Sequence, residues 1–291
     1  MSAAGQVIAS SRPLSWINTA FPFGAAYLLG GGGLDAAFWL GCVWFLVPYN
    51  LLMYGINDVF DYESDLRNPR KGGVEGIVLD RRIHRVTIWS AVVSNVPFIV
   101  VLAAMGSAAS NLVLAISVFA VAAYSVPVLR FKERPFLDSI TSSTHFVSPA
   151  VFGLALAAAR GGEVEVGVTV VAALAGFFAW GVGSHAFGAV QDVTADRAAG
   201  IGSIGTALGA RNTTWFALTA YLLGGVFLLA LPWPATLSAL LVLPYAANIA
   251  PYLSITDETC EPANIAWPRF LWLNFGSGFL VTQLLIWIAL R

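Results

Sequence analysis

Apolar positions in this chain come in long blocks rather than at helical or strand intervals, and most charged positions fall in the gaps between them. Nine blocks can be drawn: Leu14–Leu29, Ala36–Ile56, Val86–Met105, Asn111–Pro127, Phe136–Ala158, Val166–Val190, Thr214–Leu231, Ala235–Ser254 and Ala266–Leu290. A helix needs roughly 20 apolar residues to cross a hydrocarbon core of about 30 Å, and a backbone without water must close its hydrogen bonds within the segment. The pattern therefore predicts an all-α, polytopic membrane protein with about nine transmembrane helices, forming one membrane-embedded domain over residues 1–291.

Composition agrees. Of 291 residues, 58% are hydrophobic and 11% charged, with ten Trp and a mean hydropathy of +0.76, far more apolar than a soluble domain. The net charge of −1 points to no nucleic-acid partner. Cys42 and Cys260 have neither metal nor redox spacing and read as incidental. The first thirteen residues lack the charged start and apolar core of a cleaved signal, so none is expected.

The placing of the charges matters more than their sum. With the N-terminus in the cytoplasm, thirteen of the fifteen basic residues fall on one face: Arg12, Arg67, Arg70, Lys71, Arg81, Arg82, Arg85, Arg130, Lys132, Arg134, Arg197, Arg211 and Arg269. Positive residues stay on the cytoplasmic side, which predicts a plasma-membrane protein with its N-terminus and its long polar loops, at about 57–85 and 191–212, in the cytoplasm. The loops of the other face are short. The run Gly30 to Gly33 in one of them has no Lys or Ser/Thr of a phosphate-binding loop and reads as a turn.

The candidate chemistry lies at the cytoplasmic edge. Asp58, Asp61, Glu63 and Asp65 follow directly on the second block. On one continuous helix Asp58, Asp61 and Asp65 would stand at i, i+3 and i+7, on one face. Two bare carboxylates about 4 Å apart repel by about 4 kcal/mol at an effective dielectric of about 20, so such a face gathers protons or cations. Mg²⁺ suits it, because that ion takes one or two carboxylates, keeps waters and completes its shell with substrate phosphates. A solvated acidic helix end is the plain alternative. A second pair, Asp192 and Asp196, closes the sixth block at i and i+4 beside Gln191 and Arg197. By the expected topology both clusters end on the same face, where they can converge on metal-bound diphosphate, with Arg70, Lys71, Arg130, Lys132, Arg134 and Arg197 available to take further charge. Polyprenyl diphosphates fit such a protein: the allylic chain enters the apolar interior while the head stays at the polar rim, and the leaving group needs electrostatic stabilisation away from water.

These residues resemble a known family. Asn57-Asp58-x-x-Asp61-x-x-x-Asp65 at the end of the second helix, with Gln191-Asp192-x-x-x-Asp196 at the end of the sixth, is similar to the two aspartate-rich motifs of the UbiA superfamily of intramembrane prenyltransferases. The resemblance implies a nine-helix bundle around a central cavity, capped by the loops after helices two and six. It implies a site in which Asp58, Asp61, Asp65, Asp192 and Asp196 hold Mg²⁺ and act in catalysis, with Asn57, Arg67, Arg70, Lys71, Tyr124, Arg130, Lys132, Gln191 and Arg197 toward the diphosphate. The family often pairs a Tyr with a Lys four residues on; here Tyr124 is followed by Val128, with Arg130 and Lys132 beyond. The longer string from Gly55 to Gly73, with Ser184-His185-Ala186-Phe187 ahead of Gln191, looks more narrowly like the lycopene elongases of C50 carotenoid pathways, which add dimethylallyl units to the ends of lycopene. That implies an allylic diphosphate donor, dimethylallyl diphosphate, and lycopene as acceptor, within membrane lipid.

After the alkene attacks the allylic cation, a proton must leave or water must add. Asp138, His145 and His185 lie in or at the edge of apolar blocks and are the candidate bases or acceptor-pocket residues; hydrogen-bonded interior polar groups joining helices are the competing reading. Phe21, Phe23, Trp39, Trp44, Phe177, Phe178 and Trp180 could line an acceptor tunnel or simply pack or face lipid. Other acceptors, a quinone precursor, a chlorophyll-type ring or a glycerol phosphate ether, remain open at this point. So does a cation transporter, although transporters tend to place ionisable groups near mid-membrane.

Overall fold

The computed structural model describes residues 1–66 and 77–290, and among the described residues every regular element is helical. Seven helical segments are long and apolar enough to cross a membrane: Ala36–Phe60, Arg81–Met105, Ala108–Ser125, Leu137–Ala159, Val168–Val190, Ala235–Tyr252 and Glu261–Ala289. The chain is an integral membrane protein. The nine-helix expectation adds Ile17–Leu29, which is apolar but 13 residues long, and Ala210–Leu228, which carries Arg211, Asn212, Thr213 and Thr214 near its start. Neither is among the seven.

The second block departs from its expected single helix. An α-helix over Ala36–Leu46 gives way at Val47, a short turn Pro48–Asn50 follows, Leu51–Gly55 is a π-helical turn, and α-helix resumes over Ile56–Phe60. Pro48 has no N–H to give and its ring crowds the preceding turn. Carbonyls around such a break need donors in a membrane interior, and two asparagines add theirs. Asn50 Nδ2 donates to the carbonyls of Phe45 (2.7 Å) and Leu46 (3.1 Å) and to Thr19 Oγ1 (2.7 Å). Asn95 Nδ2 donates to the carbonyls of Pro48 (2.7 Å) and Ala91 (2.8 Å), while its Oδ1 accepts from Trp44 Nε1 (2.8 Å). The break sets the direction from which the first aspartate motif emerges.

The described chain forms two compact units. Residues 1–131 and 145–164 make the first, residues 132–144 and 165–291 the second, so the Leu137–Ala159 helix changes unit after Thr144. The first unit packs around Phe23, Trp44, Phe45, Tyr49 and Phe152. Trp44 and Phe45 meet tilted with centroids 4.4 Å apart, Phe45 and Tyr49 edge to face at 5.0 Å, and Phe23 and Phe152 stack at 5.9 Å, arrangements that aromatic quadrupoles allow when rings are offset or tilted. Phe23 and Trp44 are thus buried packing, whereas Trp39 faces outward, 57% exposed.

In the second unit the helices Val168–Val190 and Ala210–Leu228 cross where both lack side chains. A Cβ on Gly176 would lie 3.1 Å from the carbonyl oxygen of Gly224, and one on Gly224 3.0 Å from that of Gly176. Small residues allow this close approach, the main source of helix association in lipid. Around it lie Phe187, Tyr221, Tyr245, Ile249 and Phe270.

Candidate active site

The first motif straddles two short helices. Ile56–Phe60 ends at Asp61, whose ψ near 0° stops the helix, and Tyr62–Asp65 is a separate turn. The continuous helix expected through Asp58, Asp61 and Asp65 is therefore interrupted: the Asp61 N–H still bonds the Asn57 carbonyl at 2.9 Å, and the regular phase is lost after Asp61, the second of the three. Asp58 turns inward and is 1% exposed; its Oδ1 accepts from Arg12 at 3.2 Å, and the Arg12 guanidinium also lies 4.3 Å from the centroid of the Tyr54 ring. Asp61 meets Arg130 at 3.5 Å. Asn57 Oδ1 accepts from Ser125 Oγ at 3.0 Å. Of Asp65 only the backbone is described, and Arg67, Arg70 and Lys71 lie outside the described residues.

Arg12 and Arg130, which bring positive charge to this motif, share an unusual backbone. Their φ angles are +52° and +41°, in the left-handed region that costs an L-residue roughly 1–2 kcal/mol. Strain held at such positions clusters where function requires it. Arg12 was read from the sequence only as a topological charge, since nothing in a linear pattern signals a partner 46 positions away. Tyr124, by contrast, packs its ring edge to face on His145 with centroids 5.2 Å apart, and Tyr49 Oη donates to the His145 carbonyl at 3.3 Å. The next helix is fastened back to the motif as well, through an Arg81–Glu63 ion pair and the edge-to-face contact of Tyr62 with His84.

The second motif sits at a helix junction too. Val168–Val190 ends, Gln191 caps it, and Asp192 begins Val193–Ala199 with Asp196 inside its first turns. Gln191 Oε1 accepts from Asn264 Nδ2 at 2.6 Å. Asp196 Oδ2 accepts from Ser203 Oγ at 3.3 Å. Arg197 pairs with Asp257 and donates to the Thr206 carbonyl at 3.2 Å. Asp257 also accepts the Ala210 N–H at 2.6 Å. That backbone bond, with Arg197 beside it and against the smaller effect of burial, holds its carboxyl below the usual carboxylate range. Asp257 is thus a brace that joins Arg197 to the start of the Ala210–Leu228 helix, and it was missed because an exposed acidic loop looks the same in sequence whether or not it braces anything. Cys260 is buried, and its thiol packs against the Gln191 carbonyl and the Thr194 hydroxyl. Lys132 lies in the short 3-10 turn Phe131–Glu133.

Deeper in the second unit, Asp138 is fully buried. Its Oδ1 accepts the Ser139 N–H at 2.7 Å, and its Oδ2 accepts the Ile204 N–H at 2.7 Å. Ser139 Oγ stands 3.3 Å from Asp138 Oδ1 and 3.0 Å from His185 Nδ1. Ser139 had no signal of its own in a serine- and threonine-rich stretch.

Among the described residues no three His, Cys, Asp or Glu side chains close on a common point. Mg²⁺ does not require that: one or two carboxylates with waters and substrate phosphate oxygens suffice. Asn57, Asp58 and Asp61 in one unit and Asp192 and Asp196 in the other are hard oxygen donors of that kind, so the residues fit the ion.

Comparison with known proteins gives the family of the chain. The UbiA prenyltransferase family profile matches residues 19–275. The lycopene elongase/hydratase of Corynebacterium glutamicum is 52% identical over 280 residues, covering 96% of each chain. The C(50) beta-cyclic carotenoids biosynthesis protein LbtBC of Dietzia is 55% identical over 282 residues, which cover 97% of this chain and 64% of that protein. A UbiA homolog from Archaeoglobus fulgidus, solved bound to GPP and Mg²⁺, has the same fold with a TM-score of 0.67 at 18% identity, covering 94% of this chain and 99% of that one. With a profile spanning most of its length and relatives this similar, the chain is a member of the UbiA prenyltransferase family.

Proposed function

We propose that this membrane prenyltransferase moves the dimethylallyl group of dimethylallyl diphosphate onto lycopene, as an elongase of C50 carotenoid biosynthesis. The observation that carries the acceptor is the 52–55% identity, over nearly the whole chain, to relatives named for that chemistry. Supporting the donor is the pair of Asn/Asp motifs, each at a helix end. We assign Asn57, Asp58, Asp61, Asp65, Asp192 and Asp196 to Mg²⁺-diphosphate, and the basic face to the cytoplasm with the N-terminus. Mg²⁺, when bound, neutralises diphosphate charge and makes it a better leaving group.

The rest is the work of the chain's own side chains. Asn57 is oriented by Ser125 and Asp58 by Arg12, so their oxygens are placed before substrate arrives and little reorganisation is needed when the C–O bond breaks. Arg12 and Arg130 lie close enough to the motif to share diphosphate charge once the ester binds. The apolar spans exclude water from the allylic cation until the terminal alkene of lycopene attacks it.

The test is to incubate membranes carrying the protein with lycopene, dimethylallyl diphosphate and Mg²⁺ and to compare pigment masses with those of Asp58→Asn and Asp192→Asn. C45 and C50 products that need the metal and vanish in both variants support the reading. Prenylation of a quinone or other aromatic acceptor with lycopene untouched would overturn the acceptor and keep the family.

A further inference from the structure

We propose that His185 is the base that takes the proton when water adds to the tertiary carotenoid cation, with Ser139 and Asp138 as its positioning residues; this rests on the elongase reading above. The geometry of three side chains in one unit carries it. The Ser139 hydroxyl has a single proton. Given to Asp138 Oδ1 at 3.3 Å, it leaves Oγ only lone pairs to offer His185 Nδ1 at 3.0 Å. Nδ1 then carries the N–H, and Nε2 keeps the basic lone pair. Asp138 is itself held at both oxygens by the backbone amides of Ser139 and Ile204, so the chain from imidazole through hydroxyl to carboxylate cannot easily swing away. When Nε2 accepts a proton, the imidazolium faces a hydroxyl already polarised by a fixed carboxylate, the logic by which a buried aspartate supports a histidine base.

Position agrees with this role. His185 is partly buried between Ser184 and Ala186, both buried, and it stands five residues before the end of the Val168–Val190 helix, at whose junction with the next helix Asp192 lies. Five residues rise about 8 Å. His185 therefore lies about 8 Å back along the helix from the end that carries Asp192. A diphosphate held at Asp192 directs its carbon chain down that stretch. The step balances: the water oxygen forms a C–O bond to the cationic carbon, one of its O–H bonds breaks, and the proton passes to Nε2. No oxidant or reductant is needed.

A bond that merely joins the Leu137–Ala159 and Val168–Val190 helices would change stability and leave product identity alone, and this separates the two roles. Membranes containing wild type, His185→Asn, Ser139→Ala and Ser139→Thr are given lycopene, dimethylallyl diphosphate and Mg²⁺ in ¹⁸O-labelled water, and released diphosphate is measured with the ratio of labelled hydroxylated to unsaturated product. Asparagine keeps an N–H toward Ser139 and removes the basic nitrogen. The expected result is a fall in that ratio of at least about tenfold in His185→Asn, with diphosphate release falling less, a smaller fall in Ser139→Ala and recovery in Ser139→Thr. An unchanged ratio, a parallel loss of release and hydrated product, or a wild type that makes unsaturated product alone would overturn it. Should His185→Asn not accumulate, the Ser139 pair decides. A wild type that transfers no prenyl group to lycopene would instead refute the elongase reading itself.

Discussion

Replacing Asn95 by alanine strikes the break that aims the first motif. Asn95 is 2% exposed and Trp44 fully buried, and the substitution removes both the acceptor of the Trp44 indole N–H and the donor to the Pro48 carbonyl. The Ala91 carbonyl, inside a regular helix, keeps its backbone amide. The Pro48 carbonyl keeps the Leu51 N–H, so one buried group, the Trp44 indole N–H, is orphaned. In water-soluble proteins an orphan costs about 1–3 kcal/mol, whereas hydrogen bonds measured within membrane proteins average about 0.6 and reach about 1.7 kcal/mol. The loss expected here is about 1–2 kcal/mol, read as the shift of a reversible unfolding curve in mixed micelles titrated with SDS. Trp44→Phe in the Asn95→Ala background deletes the orphaned donor, so the double variant should be less destabilised than the sum of the single ones by more than about 0.5 kcal/mol. A change below about 0.5 kcal/mol in Asn95→Ala, or simple additivity, would refute the claim that this asparagine stabilises the break.

Three further outcomes are expected. Gly41→Ala places a methyl 2.0 Å from the ring of the fully buried Phe23, so unfolding in micelles should show a loss of about 1–3 kcal/mol from overpacking; Phe23→Leu in the same background should recover part of it. Arg12→Gln takes the guanidinium from Asp58, whose side chain has no exposed surface; the thermal midpoint in detergent should drop, and prenyl transfer should fall by at least tenfold, while retention of both would remove Arg12 from the site. Because the Asp257 carboxyl is held below the usual range when folded, its contribution to stability is complete above the unfolded carboxylate value of about 3.9 and is lost as pH falls through the folded one. Asp257→Asn should therefore be less stable than wild type near neutrality and show a flatter acid limb in unfolding midpoints measured from pH 6 to 3; parallel curves would exclude the brace.

Hydrophobic blocks about 20 residues long leave the backbone almost no choice in lipid, which is why the helical membrane fold and most segment ends were legible in the sequence alone. Paired Asn/Asp motifs were legible for a related reason: carboxylates beside apolar runs are costly, so their spacing carries chemical information. What a linear pattern lacks is the partner. It takes the fold to bring Arg12 to Asp58, Arg130 to Asp61, Asp257 to Arg197, and Ser139 to a position near both Asp138 and His185. The expected continuous helix through Asp58, Asp61 and Asp65 is interrupted by a local detail, a turn at Asp61. The break before it, at Pro48, has the carbonyls around it bonded by Asn50 and Asn95, the latter from another helix. Periodicity reports how a helix would continue, and only tertiary contacts decide where it ends. The class of protein and its motifs thus follow from solvation, a property of each residue in turn, while the orientation of the reacting groups follows from long-range pairing, which belongs to the folded chain.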